Sequence, residues 1–219
     1  MRATRPERGP STRLGTGLYL ITPDAREPAR LLERVAPLLP FAACLQLRCK
    51  SMDADALREA ASSLRAACRG AGVPFIVNDD ARLARDSGAD GVHLGEHDGG
   101  IAQARALLGA GAIVGVSCYD DLERAHAAKA AGADYIAFGA FFPSSTKPGA
   151  RRARIGLLRD SAGLGLPRVA IGGITPDNAP ALVEAGADLV AAIGGVFDAP
   201  DPIAAARAYL SCFGTDGNT

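Results

Sequence analysis

Three copies of one short phrase constrain this chain more than any other feature. SGADGVHLG at 87–95 recurs as AGADYIAFG at 131–139 and as AGADLVAAIGG at 185–195. Each copy has the same physical reading. A helix ends at a glycine that can take positive φ, a short turn follows, and an apolar run of strand length begins. Gly88, the Gly109–Gly111 cluster and Gly132 mark helix ends spaced by roughly 22 residues, within the range of repeated structural units. From Gly132 to Gly186 the gap is about two such units plus some ten residues, and the surplus falls in FPSSTKPGARR. One loop is therefore expected to be unusually long.

Extending the period predicts strands at 18–22, 44–48, 75–78, 91–94, 113–117, 135–139, 168–171 and 189–193. Helical patterns separate them: REPARLLERVAPLL, DADALREAASSLRAAC, ARLARDS, IAQARALL, DLERAHAAKA, a weaker stretch at 153–161, DNAPALVEA and PIAAARAYL. Strictly alternating strands and helices predict an α/β protein with parallel strands. A count of eight favours closure into a (β/α)₈ barrel over an open doubly wound sheet, and no GxGxxG or GxxxxGK follows the first strand. The expected organisation is a disordered leader at 1–16, one TIM-barrel domain at 17–213 and a tail at 214–219.

Composition excludes several classes. Equal counts of 24 basic and 24 acidic residues leave no basic footprint for nucleic acid or an acidic membrane. No run approaches the ~18 apolar residues of a membrane span. The leader is Arg-rich, interrupted by Pro6 and Pro10, and lacks the apolar core of a signal peptide. Five cysteines (Cys44, Cys49, Cys68, Cys118, Cys212) without CxxC spacing read as reduced, small hydrophobes of a cytoplasmic protein. Small barrels commonly associate, so a homo-oligomer is an open expectation.

In such a barrel the reacting groups sit at the strand C-termini and in the loops after them. The second strand ends in QLRCK, where alternation places Gln46, Arg48 and Lys50 on one face. Cations aimed into a barrel need anionic partners, because a buried bare charge is costly; the alternative is that Arg48 and Lys50 meet solvent beyond the mouth. The third strand ends in VNDD and the fourth in HLGEHD. Carboxylates from adjacent strand ends suit Mg²⁺, which takes one or two of them plus phosphates and water. One of Asp79 and Asp80 is expected to cap the next helix instead, and Asp98 is a second candidate cap. HLGEH also spells a zinc-protease pattern, but that chemistry needs both histidines on one helix, and here they straddle a strand end. The loop FFPSSTKPGA offers hydroxyls and an ammonium for a phosphate. Glycines in IGGITPDN and AAIGGVF let backbone N–H groups approach a phosphate, or serve only a tight turn.

Together LYLITP, QLRCK, VNDDARLARDSGADGVHLGEHD, VGVSCYD, ADYIAFGAFFPSSTKPGA and VAIGGITPDNAPALVEAGADLVA resemble thiamine-phosphate synthase over most of the chain, from Gly17 to Phe213. The resemblance implies an enzyme of thiamine biosynthesis, a transferase joining a hydroxymethylpyrimidine pyrophosphate to a thiazole phosphate with Mg²⁺ as cofactor. It implies that Gln46, Arg48, Lys50 and Asn78 contact the pyrimidine pyrophosphate, and that Asp79 and Asp98 hold Mg²⁺. Ser117 and Lys147 would touch the pyrophosphate, so Arg48, Lys50, Lys147 and Ser117 carry the catalytic step. Ser144 and Thr146 would bind the thiazole phosphate with backbone of Gly173, Ile193 and Gly194. The chain departs from the family pattern at Cys49, at Glu96 where Gln is frequent, and at Gly194 where Ser is frequent. A related thiazole tautomerase shares the barrel but carries a catalytic His where this chain has Ala140, and lacks the Asn78-Asp79 pair. A non-catalytic barrel that binds thiamine precursors is the third reading.

Overall fold

The computed structural model describes residues 14–143 and 151–214. Eight parallel strands close in sequence order: β1 Gly17–Ile21, β2 Ala42–Leu47, β3 Phe75–Asn78, β4 Gly91–Leu94, β5 Ile113–Tyr119, β6 Tyr135–Gly139, β7 Arg168–Ile171 and β8 Leu189–Ala192, with β8 paired back to β1. Helices α1 Pro28–Val35, α2 Ala54–Ala71, α3 Ala81–Ser87, α4 Ile101–Leu108, α5 Leu122–Ala130, α6 Gly156–Asp160, α7 Ala179–Glu184 and α9 Pro202–Ser211 cover the outside. The alternation legible in the sequence is the fold. A short α8, Gly194–Phe197, follows β8 and was not expected, because four residues are too few to show a helical period.

Side-chain alternation along the strands sorts the apolar residues into two cores. One lies between strands and helices and includes Leu18, Leu20, Leu45, Val92, Val114, Ile136 and Val190. The other fills the barrel itself, with Tyr19, Ile21, Cys44, Ile76, Ile113, Tyr135, Val169 and Leu189. Its two fully buried tyrosines need room. Gly115 supplies it: a Cβ there would lie 1.9 Å from Tyr135 Cζ.

The repeated Gly-Ala-Asp phrase performs one structural task three times at the base of the barrel. Gly88 closes α3 at φ 66°, the left-handed conformation for which glycine carries no steric cost. The aspartate two residues later turns back on the preceding strand. Asp90 Oδ2 accepts from Phe75 N at 2.8 Å, Asp134 Oδ2 from Val114 N at 2.7 Å, and Asp188 Oδ2 from Arg168 N at 2.9 Å. An arginine meets each carboxylate: Arg65 at Asp90, Arg105 at Asp134, Arg168 at Asp188. Alternate strand starts are thus stapled by charge-assisted hydrogen bonds. The sequence shows the phrase; only the closed barrel shows what its aspartate does.

Candidate active site

A cavity of about 600 Å³ opens at the C-terminal end of the strands, lined among others by Gln46, Arg48, Asn78, Ser117, Gly173, Ile193 and Gly194. Residues from five separate strand ends therefore line one cavity. A second cavity of about 550 Å³ lies at the opposite end, but its prominent polar groups, Arg65 and Asp90, are already bonded to each other.

β2 ends at Leu47, so Arg48 and Lys50 stand on the loop after it. Arg48 lines the cavity. Its backbone N–H donates to Thr22 Oγ1 at 2.9 Å, which ties the ends of β1 and β2 together. Lys50 is exposed and lies outside the cavity lining, with its backbone N–H donating to Asp24 Oδ1 at 2.6 Å. That bond holds the Asp24 carboxyl below its ordinary range. Cys49 is partly buried, and its thiol donates to the Ala25 carbonyl at 3.1 Å. The departure at Cys49 therefore serves the neighbouring loop.

The two aspartates that follow β3 separate by role. Asp80 caps α3, its Oδ1 accepting from Arg82 N at 2.8 Å and Leu83 N at 2.9 Å. Asp79 adopts φ 66°, a conformation uncommon outside glycine but tolerated by aspartate. Backbone outliers of this kind gather at functional sites. Burial, then the adjoining Asp98 carboxyl, pushes Asp79 up to about 6, while Arg48 and Asn78 act to lower it. Asp98 does not cap a helix: Gly100 holds the N-cap of α4, and Asp98 Oδ2 accepts from Gly95 N at 2.8 Å. Asp79 and Asp98 are thus brought side by side.

Two like-charged carboxyls in contact repel each other, and a divalent cation between them would relieve that repulsion, so the pair fits Mg²⁺. Among the described residues no group of three or more His, Cys, Asp or Glu is arranged to hold a metal. His93 and His97 do not converge as a zinc pair would: His93 is buried inside the barrel, and His97 is exposed at the rim.

Ser117 sits just before an irregularity in the β5–β6 pairing, and Tyr119 beyond it takes φ 53°. Such bulges re-aim side chains near active sites. Below Ser117 runs a feature that the sequence reading did not anticipate. His93 Nε2 lies 2.9 Å from Ser117 Oγ, His93 Nδ1 lies 3.0 Å from Tyr135 Oη, and Tyr135 Oη lies 2.6 Å from Tyr19 Oη. Gln46 Nε2 donates to Tyr19 Oη at 2.8 Å. Five strands contribute to one chain of hydrogen bonds. Its only signal in the sequence is a polar-tipped side chain at inward positions of β1, β4 and β6.

The glycine at the end of β7 has a packing reason of its own. Gly173 has φ 63°, and a Cβ there would lie 2.1 Å from the Pro143 carbonyl oxygen. A Cβ at Gly194 would lie 2.7 Å from Asp198 Oδ2, the tip of an exposed side chain that can move aside. Arg34 reaches Asp198 at 3.8 Å and offsets its charge.

Ser144, Thr146 and Lys147 lie outside the described residues. The ends of their loop are held at the mouth: Phe141 N donates to the Ile171 carbonyl at 3.1 Å and Ala140 N to the Arg151 carbonyl at 3.0 Å. Arg151, a cation missed by the sequence reading, lines the cavity and lies over the Tyr119 ring, 5.7 Å from its centroid. Glu96 lies 4.0 Å from Arg151, so the acidic departure at 96 has a cationic neighbour.

A family model described as thiamine monophosphate synthase matches residues 18–196. The chain is 60% identical over 204 residues to a thiamine-phosphate synthase of Xanthomonas campestris pv. campestris (strain 8004), covering 93% of this chain and 99% of that one. It is 60% identical over 201 residues to that of Azoarcus sp. (strain BH72), covering 90% and 97% respectively. Among solved structures, it is similar to thiamine phosphate pyrophosphorylase from Pyrococcus furiosus, with TM-score 0.80, 32% identity, and coverage of 92% and 96%.

Proposed function

This chain belongs to the thiamine monophosphate synthase family and serves thiamine biosynthesis as a thiamine-phosphate synthase, and we propose that its barrel mouth works by electrostatic assistance to a departing pyrophosphate. In this reaction the bond between the pyrimidine methylene carbon and a pyrophosphate oxygen breaks, and its electron pair leaves with the oxygen. The thiazole ring nitrogen donates its lone pair to the same carbon, giving thiamine phosphate and free pyrophosphate.

Such a step needs no side-chain nucleophile. It needs positive charge where the leaving group gathers negative charge, and an acceptor held in line. The observation that carries this reading is the convergence of Arg48, Asn78, Ser117 and Gln46 on one cavity, with the Asp79–Asp98 pair beside Arg48. Gln46 and Asn78 offer amides to the pyrimidine portion. Arg48 and the Ser117 hydroxyl face the pyrophosphate, with Lys50 and Lys147 adding charge from the flanking loops. Asp79 and Asp98 are the residues that would hold Mg²⁺, which when bound supplies further positive charge to the leaving group. Gly173, Ile193 and Gly194 line the far side, where their backbone suits the thiazole phosphate together with Ser144 and Thr146. Small-molecule substrates fit this cavity, and among the described residues no helix is long and apolar enough to cross a membrane.

The test is pyrophosphate release with both precursors, with and without Mg²⁺. Release that requires both precursors and the cation supports the proposal. Interconversion of thiazole isomers without release would indicate the tautomerase, and binding without turnover the non-catalytic barrel.

A further inference from the structure

We propose that Tyr19, Tyr135 and His93 form a directional hydrogen-bond relay that fixes the tautomer of His93 and turns the Ser117 hydroxyl proton into the cavity. The direction follows from counting protons along the chain with the Gln46 amide oriented so that Nε2 faces Tyr19. Gln46 Nε2 donates to Tyr19 Oη. Tyr19 is 1% exposed, and its own proton has Tyr135 Oη at 2.6 Å as acceptor. A buried hydroxyl proton without an acceptor is costly. Tyr135 is fully buried and now accepts from Tyr19, so its proton passes to His93 Nδ1 at 3.0 Å. A neutral imidazole that accepts at Nδ1 carries its proton on Nε2, and Nε2 lies 2.9 Å from Ser117 Oγ. Ser117 therefore accepts from His93, and its single proton is left to donate elsewhere. Ser117 lines the cavity, so that donor faces the substrate.

The same geometry with reversed polarity would have Ser117 donating to His93 and presenting only lone pairs to an anion. Polarity, rather than contact, is what makes this serine a donor. The relay reaches the departing group by way of Ser117, so in it Tyr19, Tyr135 and His93 act as positioning residues, although Tyr19 and His93 also line the cavity. The ring packing preserves their placement: His93 stacks on Tyr135 with centroids 5.5 Å apart, and Tyr19 meets Tyr135 edge-on at 5.8 Å. Burial also holds both phenols well above their ordinary range, which keeps them neutral donors.

The kinetic part of this proposal rests on the function proposed above; the spectroscopic part does not. Nitrogen-15 NMR of histidine-labelled protein at pH 8, with signals assigned through His97→Gln and His126→Gln, reads the His93 tautomer directly. The relay predicts a protonated Nε2 and a bare Nδ1. A predominant Nδ1–H tautomer would overturn it. In turnover, Tyr135→Phe keeps the ring and removes the hydroxyl that faces Nδ1. Its kcat is expected to fall at least tenfold with KM changed less than threefold. Ser117→Ala and the double variant Ser117→Ala/Tyr135→Phe should then agree within twofold, because both mutations remove one donor. Losses that multiply, or full kcat in Tyr135→Phe, would contradict the relay. A wild-type protein that releases no pyrophosphate would sink the proposed function instead, while the tautomer measurement would still decide the relay.

Discussion

The ring of Tyr135 occupies the volume that a side chain at Gly115 would fill, with Tyr135 Cζ only 1.9 Å from the position of a Cβ there. The two residues sit on neighbouring strands and are paired in the β5–β6 register. A barrel interior packed to crystalline density has no slack for the extra methyl. Gly115→Ala is expected to lose about 1–3 kcal/mol by overpacking. Gly163, which has open space around its Cβ position and no positive φ, serves as control. Urea denaturation of Gly115→Ala and Gly163→Ala checks this, with only the former shifting its midpoint markedly.

The Asp188 staple at the barrel base is the most buried of the three, at 2% exposure, and it bonds both Arg168 N and Arg168 Nε. Removing one partner of a buried pair leaves the other charge uncompensated, at a cost of about 3–5 kcal/mol. Asp188→Ala is therefore expected to destabilise more than Asp90→Ala or Asp134→Ala, whose carboxylates are partly exposed. Denaturant midpoints of the three variants would rank them; equal shifts would contradict the role of burial.

At the opposite end, Asp79→Asn and Asp98→Asn test the metal assignment. Asparagine keeps tolerance for the positive φ at position 79 and keeps an acceptor for Gly95 N at position 98. Each variant is expected to retain its melting temperature within a few degrees while Mg²⁺-dependent pyrophosphate release falls by about 10²-fold or more, the scale of losing one preorganised electrostatic contact. A Mg²⁺ titration of activity checks it, and full activity in either variant would refute the assignment.

Lys147→Ala is expected to lower kcat at least tenfold, a cautious bound from the same scale of about 10²–10³ per contact. Steady-state kinetics with saturating precursors would show it. An unchanged kcat would remove the loop after β6 from the reaction.

The barrel was largely legible because it repeats. The glycine that ends a helix and the apolar run that begins a strand recur locally, and β3, β4, β6 and β7 begin and end where their patterns do. The cavity lining was legible where polar residues cluster at strand ends, as with Gln46, Arg48, Asn78 and Ser117. What stayed hidden depends on closure. Tyr19 and Tyr135 are 116 residues apart, and nothing local reveals that their hydroxyls meet. Arg151 belongs to no motif in the sequence, and only the closed barrel sets Tyr119 and Glu96 beside it. The choice between Asp79 and Asp80 as helix cap likewise turned on backbone dihedrals that residue identity does not encode.

The central claim is that one cavity gathers the charges that draw pyrophosphate off carbon. Crystallography of the protein with Mg²⁺ and inorganic pyrophosphate tests it most directly. The expected result is pyrophosphate at the barrel mouth in contact with Arg48 and Ser117, with the metal between it and Asp79 and Asp98. Pyrophosphate seated away from those four residues, or a metal bound without Asp79 and Asp98, would contradict the account.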